Sequence, residues 1–258
     1  MILNNIATNL IQQLITMEPI ELNLKDNRTD RQRGNNRRVY SAIKENDQNV
    51  FHENINKEKY KRFLEEKGLT KEEFWKRTRE CDNCADLASM YLAKNASRQG
   101  SKDEAEQLRT CNIIAENSGI SIKTLTATEL RPTQDGRWRG SIVSNNDMRT
   151  ENIKKIDCLK SFDGEISGKF HGYIAAKVTF GAGGHQDNVF EEMDTIAEWW
   201  KTHRSNSEKI LIVLIDTDLH SKFKALKEKY TEVDNVKIFN HVSFQQYMID
   251  TYYIDESM

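Results

Sequence analysis

The sequence predicts an α/β fold, a mixed central β-sheet flanked by helices, preceded by a mainly helical N-terminal region. Three observations carry this. Apolar residues recur at helical spacing through residues 1–119. The run "KILIVLID" at 209–216 is continuously apolar, as expected of a strand buried on both faces. Between 120 and 258, strand-like and helix-like periods alternate, the order that builds a sheet with helices on its faces. The predicted division is a mainly helical region over 1–119 and an α/β core over 120–258.

Taken in order, "MILNNIATNLIQQLIT" reads as an amphipathic helix. It has no positive leading segment and is broken by Asn and Gln, so it is not expected to be a signal peptide. "KDNRTDRQRGNNRRVYSAIK" is polar, Gly-containing and Arg-rich, and reads either as a solvated charge run or as an arm along a nucleic-acid backbone. "NKEKYKRFLEEKGL" predicts a helix. "LTKEEFWKRTRECDNCADLASMYLAKNA" predicts one long helix opened by Thr70 and Glu73 in capping-box spacing. "GSKDEAEQLRTCNIIAENSGI" predicts another, with Ser101 and Glu104 in the same spacing and Gly119 as terminator. Beyond it come a strand in "ISIKTLTA", a turn in "RPTQDGRWRGS" and a strand in "FHGYIAAKVTF". A helix in "QDNVFEEMDTIAEWWKTH", the buried strand, a helix in "LHSKFKALKEKY", a strand in "NVKIF" and a helix in "VSFQQYMIDTYY" complete the chain.

Composition narrows the function classes. Of the 258 residues 30% are charged and 37% hydrophobic, and no stretch approaches eighteen consecutive apolar residues, so a cytoplasmic protein without membrane contact is expected. The formal charge of −2 gives no general pull toward nucleic acid, so such a partner must be argued from local clusters. Among the four cysteines, only Cys81 and Cys84 have C-x-x-C spacing, and no second pair completes a zinc site. Reduced, packed thiols are expected. No Gly-rich phosphate loop occurs, so no nucleotide cofactor is expected.

One stretch concentrates chemistry: "FDGEISGKFHGYIAAKVTF". Hydrolysis of a phosphodiester by metal-activated water requires oxygen ligands on a rigid support and a cation beside them. Asp163 follows a turn-like stretch and Lys177 lies fourteen residues on, in a strand. Positions 175 and 177 share a sheet face, so a carboxylate at 175 would complete the set, yet the residue is Ala175. An ordinary hairpin turn at "DGEISG" is the structural alternative.

These residues resemble the PD-(D/E)XK nuclease superfamily, and type II restriction endonucleases in particular. In that pattern an Asp is followed, after a variable gap, by Glu or Asp, any residue and Lys; here eleven residues separate Asp163 from "AAK". The resemblance covers roughly 120–258. It implies a restriction-endonuclease-like core, Mg²⁺ as cofactor, double-stranded DNA as partner and a homodimer where the DNA site is palindromic. Asp163 would be a metal ligand, the Ala176 carbonyl a further ligand and Lys177 the cation that orients water. For the departure at Ala175 two explanations stand: a site inactivated at that position, its metal ligand removed, or a second carboxylate relocated to the following helix, at Glu191.

Residues suited to reading DNA flank this site. His185, Gln186, Asp187 and Asn188 follow three glycines, and Gln, Asn and His reach base edges. Helix capping by Asp187 or Asn188 is the alternative. Arg131, Arg137 and Arg139 surround the turn at Trp138, and Arg37 and Arg38 close the Arg-rich stretch; both suit guanine or phosphate contacts, with a solvated hairpin and a solvated charge run as the alternatives. Two rival readings are a non-cleaving DNA-binding protein and a metal-dependent transferase using Asp216 and Asp218 at the end of the buried strand.

Overall fold

The computed structural model describes residues 18–125, 129–180 and 184–252, with the side chains of 184–187 outside that description. The predicted N-terminal helix therefore lies outside the described residues. The chain divides into two compact units, residues 23–103 and residues 1–22 with 104–258.

The smaller unit is helical. Helix α1 (Leu24–Lys44) takes up the Arg-rich segment that reads as a charge run or an arm. Asn23 caps its start, and an ionic anchor from far along the chain holds it. Arg28 Nε and Arg31 Nη1 lie 2.6 and 2.7 Å from the carboxylate of Asp103, whose side chain is fully buried. A buried carboxylate is tolerated when it is paired in this way. Helices α2 (Gln48–Asn54) and α3 (Lys57–Lys67) follow, opened by the side chains of Asp47 and Asn56; Gly68, at φ +60°, ends α3.

Helix α4 (Lys71–Glu80) has the predicted capping box, Thr70 N–H donating to Glu73 Oε2 at 2.8 Å and Glu73 N–H to Thr70 Oγ1 at 3.1 Å. The expected long helix is broken, however. Cys81 leaves helical geometry at φ −127° and ψ 111°, and its sulfur caps a second helix, α5 (Asp82–Leu92). Phe51, Tyr60, Phe74 and Trp75 pack edge to face between these helices, the geometry aromatic rings prefer.

The larger unit is a sheet with helices on both faces, so the α/β class holds. Helix α6 (Gly100–Asn117) ends as predicted, with Gly119 at φ +70°. Its start differs: the helix already begins at Gly100, and Glu104 serves another partner, described below.

Strand β1 (Ile120–Thr124) is followed by a small hairpin of β2 (Leu130–Pro132) and β3 (Ile142–Ser144), a short helix α7 (Asn145–Thr150), and then β4 (Gly164–Gly168) and β5 (Gly172–Thr179). Helix α8 (Gly184–His203), β6 (Ile210–Thr217), α9 (His220–Lys229), β7 (Val236–Phe239) and α10 (His241–Tyr252) complete it. The sheet order is β1-β4-β5-β6-β7, antiparallel across the first three strands and parallel from β5 to β7.

Alternation along β5 splits the core. Tyr173 and Ala175 join Phe162, Met193, Ile196, Trp200 and Val213 on the α8 side. Ile174 and Ala176 join Leu108, Cys111, Leu214 and Phe244 on the side of α6 and α10. Gly172 lets β5 approach β6 closely, since a Cβ there would stand 2.2 Å from the Ile210 carbonyl oxygen. Among the described residues no helix is long and apolar enough to cross a membrane.

Candidate active site

Asp163 immediately precedes β4, and backbone pairing fixes it against β5. Its N–H donates to the Ile174 carbonyl at 2.8 Å, and its Oδ2 accepts from the Ala176 N–H at 2.8 Å. The carboxylate therefore lies along residues 174–176. Lys177, one residue on, donates from Nζ to Glu104 Oε1 at 3.0 Å and to the Ala176 carbonyl at 3.0 Å; Glu192 Oε1 is 3.9 Å away. Glu192 also pairs with Lys160 at 2.5 Å. Thus one ammonium sits among three carboxylates contributed by α6, the turn before β4, and α8.

The electrostatics follow from that crowding. Burial pushes the Asp163 carboxyl up to about 6; Lys177 and the Ala176 N–H pull it down, and Glu104 and Glu192 add repulsion. For Lys177 burial disfavours the ammonium, but Asp163, Glu104 and Glu192 outweigh it and hold its pKa above the ordinary lysine value. Lys177 therefore stays charged wherever the protein is folded near neutrality.

The structure brings Asp163, Ala176 and Lys177 together. Ala175 is fully buried among aliphatic and aromatic side chains and supplies a methyl group where the resemblance implies a ligand. Glu191 is exposed on α8, and its carbonyl accepts from Thr195 Oγ1 at 2.7 Å; the helix carboxylate beside Lys177 is Glu192. Glu104 and Glu192 were absent from the sequence-derived set. Helical phase is the signal that finds them. Glu104 stands one turn before buried Leu108, and Glu192 flanks buried Met193.

Oxygen donors of this kind suit Mg²⁺ in chemistry. Their arrangement does not: Glu104 and Glu192 face Lys177, and among the described residues no three His, Cys, Asp or Glu side chains converge as a metal-holding group. As the chain stands, the set does not fit the ion.

The DNA-contact candidates are placed unevenly. His185, Gln186 and Asp187 belong to the first turn of α8, which begins two residues before the predicted helix at Gln186, and their side chains lie outside the described residues; Asn188 is exposed. Because α8 already starts at Gly184, neither Asp187 nor Asn188 is its cap. Arg137 and Arg139 are exposed, with the Arg137 guanidinium 5.2 Å over the Trp138 ring. Arg131 departs from the expected surface role. It is buried at 6% exposure and donates to the Leu159 carbonyl at 3.2 Å, holding the hairpin to the chain before β4. In the smaller unit Arg37 and Arg38 are exposed on α1.

Asp216, the rival metal ligand, is also buried. Its Oδ1 lies 2.7 Å from His241 Nδ1 and its Oδ2 accepts from Gln107 Nε2 at 2.6 Å. His241 Nε2 in turn accepts from the Leu22 N–H at 3.0 Å, which makes the ring neutral with its proton on Nδ1. A carboxylate engaged on both oxygens ties α6, β6 and α10 together.

No protein-family model, curated protein or solved structure matches this chain.

Proposed function

We propose that this chain is a double-stranded-DNA-binding protein of the type II restriction endonuclease kind, with a phosphodiesterase site one carboxylate short at position 175. One observation carries the reading. The Asp163 carboxylate is clamped to the β5 backbone beside position 175, and Lys177 emerges next to it as a buried-side ammonium held by acidic neighbours. The order of α6, β1, β4, β5, α8 and β6 around these residues supports it, because it agrees with the core that the motif implies.

The residues present have definite capacities. Lys177 can stabilise negative charge developing on a phosphate oxygen, since it is charged and partly desolvated. Asp163, its carboxyl pushed up to about 6 by burial, can take or hold a proton beside Lys177. Exposed Arg137, Arg139, Arg37 and Arg38 can grip phosphates. A homodimer is the assembly that a palindromic DNA site would demand.

The test is cleavage of supercoiled plasmid with Mg²⁺, comparing the chain as it stands, Ala175→Glu, and Ala175→Glu combined with Lys177→Ala. The expected result is discrete cutting by Ala175→Glu at a rate about a hundredfold or more above the other two, the scale of losing one preorganised charge at a reacting centre. Cutting already present with Ala175 would point to a helix carboxylate in its place, and separate Glu191→Ala and Glu192→Ala variants would identify it. If neither form cuts DNA, the nuclease reading fails; binding without cutting leaves the non-cleaving DNA-binding protein.

A further inference from the structure

The break between α4 and α5 places two thiols where thiol chemistry is favoured. Cys81 is the N-cap of α5, so its sulfur lies at the positive end of that helix, and Cys84 N–H donates to it at 3.2 Å. Neither thiol is packed as the sequence suggested: Cys84 is exposed and Cys81 half-buried, whereas Cys111 and Cys158 are buried. Cys84 also lines a cavity of about 560 Å³ beside Leu87 and Tyr91. Lys44 Nζ, bonded to the Arg79 carbonyl at 2.7 Å, also pairs with Asp82 Oδ1 at 2.6 Å and so offsets the one carboxylate that opposes a Cys81 thiolate at this corner.

We propose that Cys81 and Cys84 form a redox-active dithiol that undergoes thiol–disulfide exchange with a low-molecular-weight disulfide of the glutathione type. The Cys81 thiolate attacks one sulfur of that disulfide, forming a mixed disulfide and releasing one thiolate. Cys84, its proton passing to solvent, then attacks the Cys81 sulfur and releases the second thiol. The net change is dithiol plus disulfide to the Cys81–Cys84 disulfide plus two thiols, with two electrons passing to the small molecule.

The division of labour follows from the surroundings. Hydrogen bonds from the Cys84 thiol and the Cys84 N–H favour the Cys81 thiolate, and the same thiol–thiol bond raises Cys84 above the ordinary range. Burial pushes Cys111 far upward and raises Cys158, so these two serve as internal controls.

The experiment equilibrates the full-length protein in reduced and oxidised glutathione, traps free thiols by alkylation and maps them by mass. Oxidation should convert Cys81 and Cys84 together into one intramolecular disulfide, leaving Cys111 and Cys158 as thiols. The Cys84→Ser variant, which keeps a donor to Cys81, should accumulate a single glutathione adduct at Cys81. Each unit by which a thiol pKa falls raises the thiolate fraction about tenfold and lowers its intrinsic reactivity about threefold. Alkylation of Cys81 in Cys84→Ser should therefore run faster at pH 7 than alkylation of Cys84 in Cys81→Ser. The proposal is overturned if the wild-type pair remains as thiols in oxidised glutathione, if Cys84 carries a stable adduct without closure, or if Cys84 reacts faster.

Discussion

Asp163 carries a cost that can be measured directly. Its carboxyl is raised in the folded state to about 6 from an ordinary value of 3.8. Between those values the folded protein holds a proton that the unfolded chain has lost, so stability falls as pH rises through this window. Above it both states are ionised and the full penalty is present, about 3 kcal/mol at about 1.4 kcal/mol per unit. Asp163→Asn removes the charge while its side-chain oxygen can still accept the Ala176 N–H. Urea midpoints should show this variant more stable than the parent by about 1–3 kcal/mol at pH 8, with the gain shrinking toward zero by pH 4. A variant less stable at pH 8 would mean that attraction to Lys177 outweighs desolvation.

The same reasoning applies next door. Ala175→Glu adds a second carboxylate at a fully buried position beside Asp163. In EDTA at pH 8 it should destabilise the fold by about 2–4 kcal/mol, because an unpaired charge is buried against like charge. Millimolar Mg²⁺ should recover part of that loss in the variant and leave the parent's melting temperature unchanged. Equal response of the two proteins would separate position 175 from metal binding.

At the scale of elements, β5 matters most, because it presents Ala175, Ala176 and Lys177 and pairs with β4 and β6 at once. Its first residue, Gly172, is where the β5–β6 approach is tightest, and a side chain there meets backbone rather than a movable group. Gly172→Ala should lower stability by about 1–3 kcal/mol, as forced overpacking does. The urea slope should be unchanged, and amide exchange should rise first along β6. Faster exchange confined to α9 or α10 would show that the clash is absorbed elsewhere.

Elements also show what was legible in the chain. The buried run of β6 and the amphipathic period of α8 announced themselves, because burial on both faces and on one face leave different patterns. The break at Cys81 did not, since a thiol cap is outside the usual Ser, Thr, Asp and Asn signal. Helix α1 did not either: its Arg-rich stretch is held by Asp103, more than seventy residues away, which no local pattern reports. At the site, Asp163 and Lys177 were found by motif, while Glu104 and Glu192 needed the phases of two helices relative to one strand. Glu104, taken locally, reads as a capping residue, and only the placement of β5 gives it Lys177.

For the whole molecule, the formal charge of −2 means that DNA affinity must come from a few placed cations, and this can be counted. Binding that neutralises phosphates falls with salt, with a logarithmic slope of about 0.9 per contact. Arg37 and Arg38 lie in the helical unit and Arg137 and Arg139 in the sheet unit, all exposed. If both units touch the duplex, replacing either pair by Ala should reduce the slope by about 2, and replacing all four by about 4. Arg131→Ala should behave differently. That guanidinium is buried against the Leu159 carbonyl, so its loss should lower thermal stability with little change in slope. Slopes measured with a fixed duplex by fluorescence anisotropy decide the matter. An unchanged slope for the Arg37 and Arg38 pair removes α1 from the DNA interface. An unchanged slope for all four leaves the duplex without the surface that the proposed function requires.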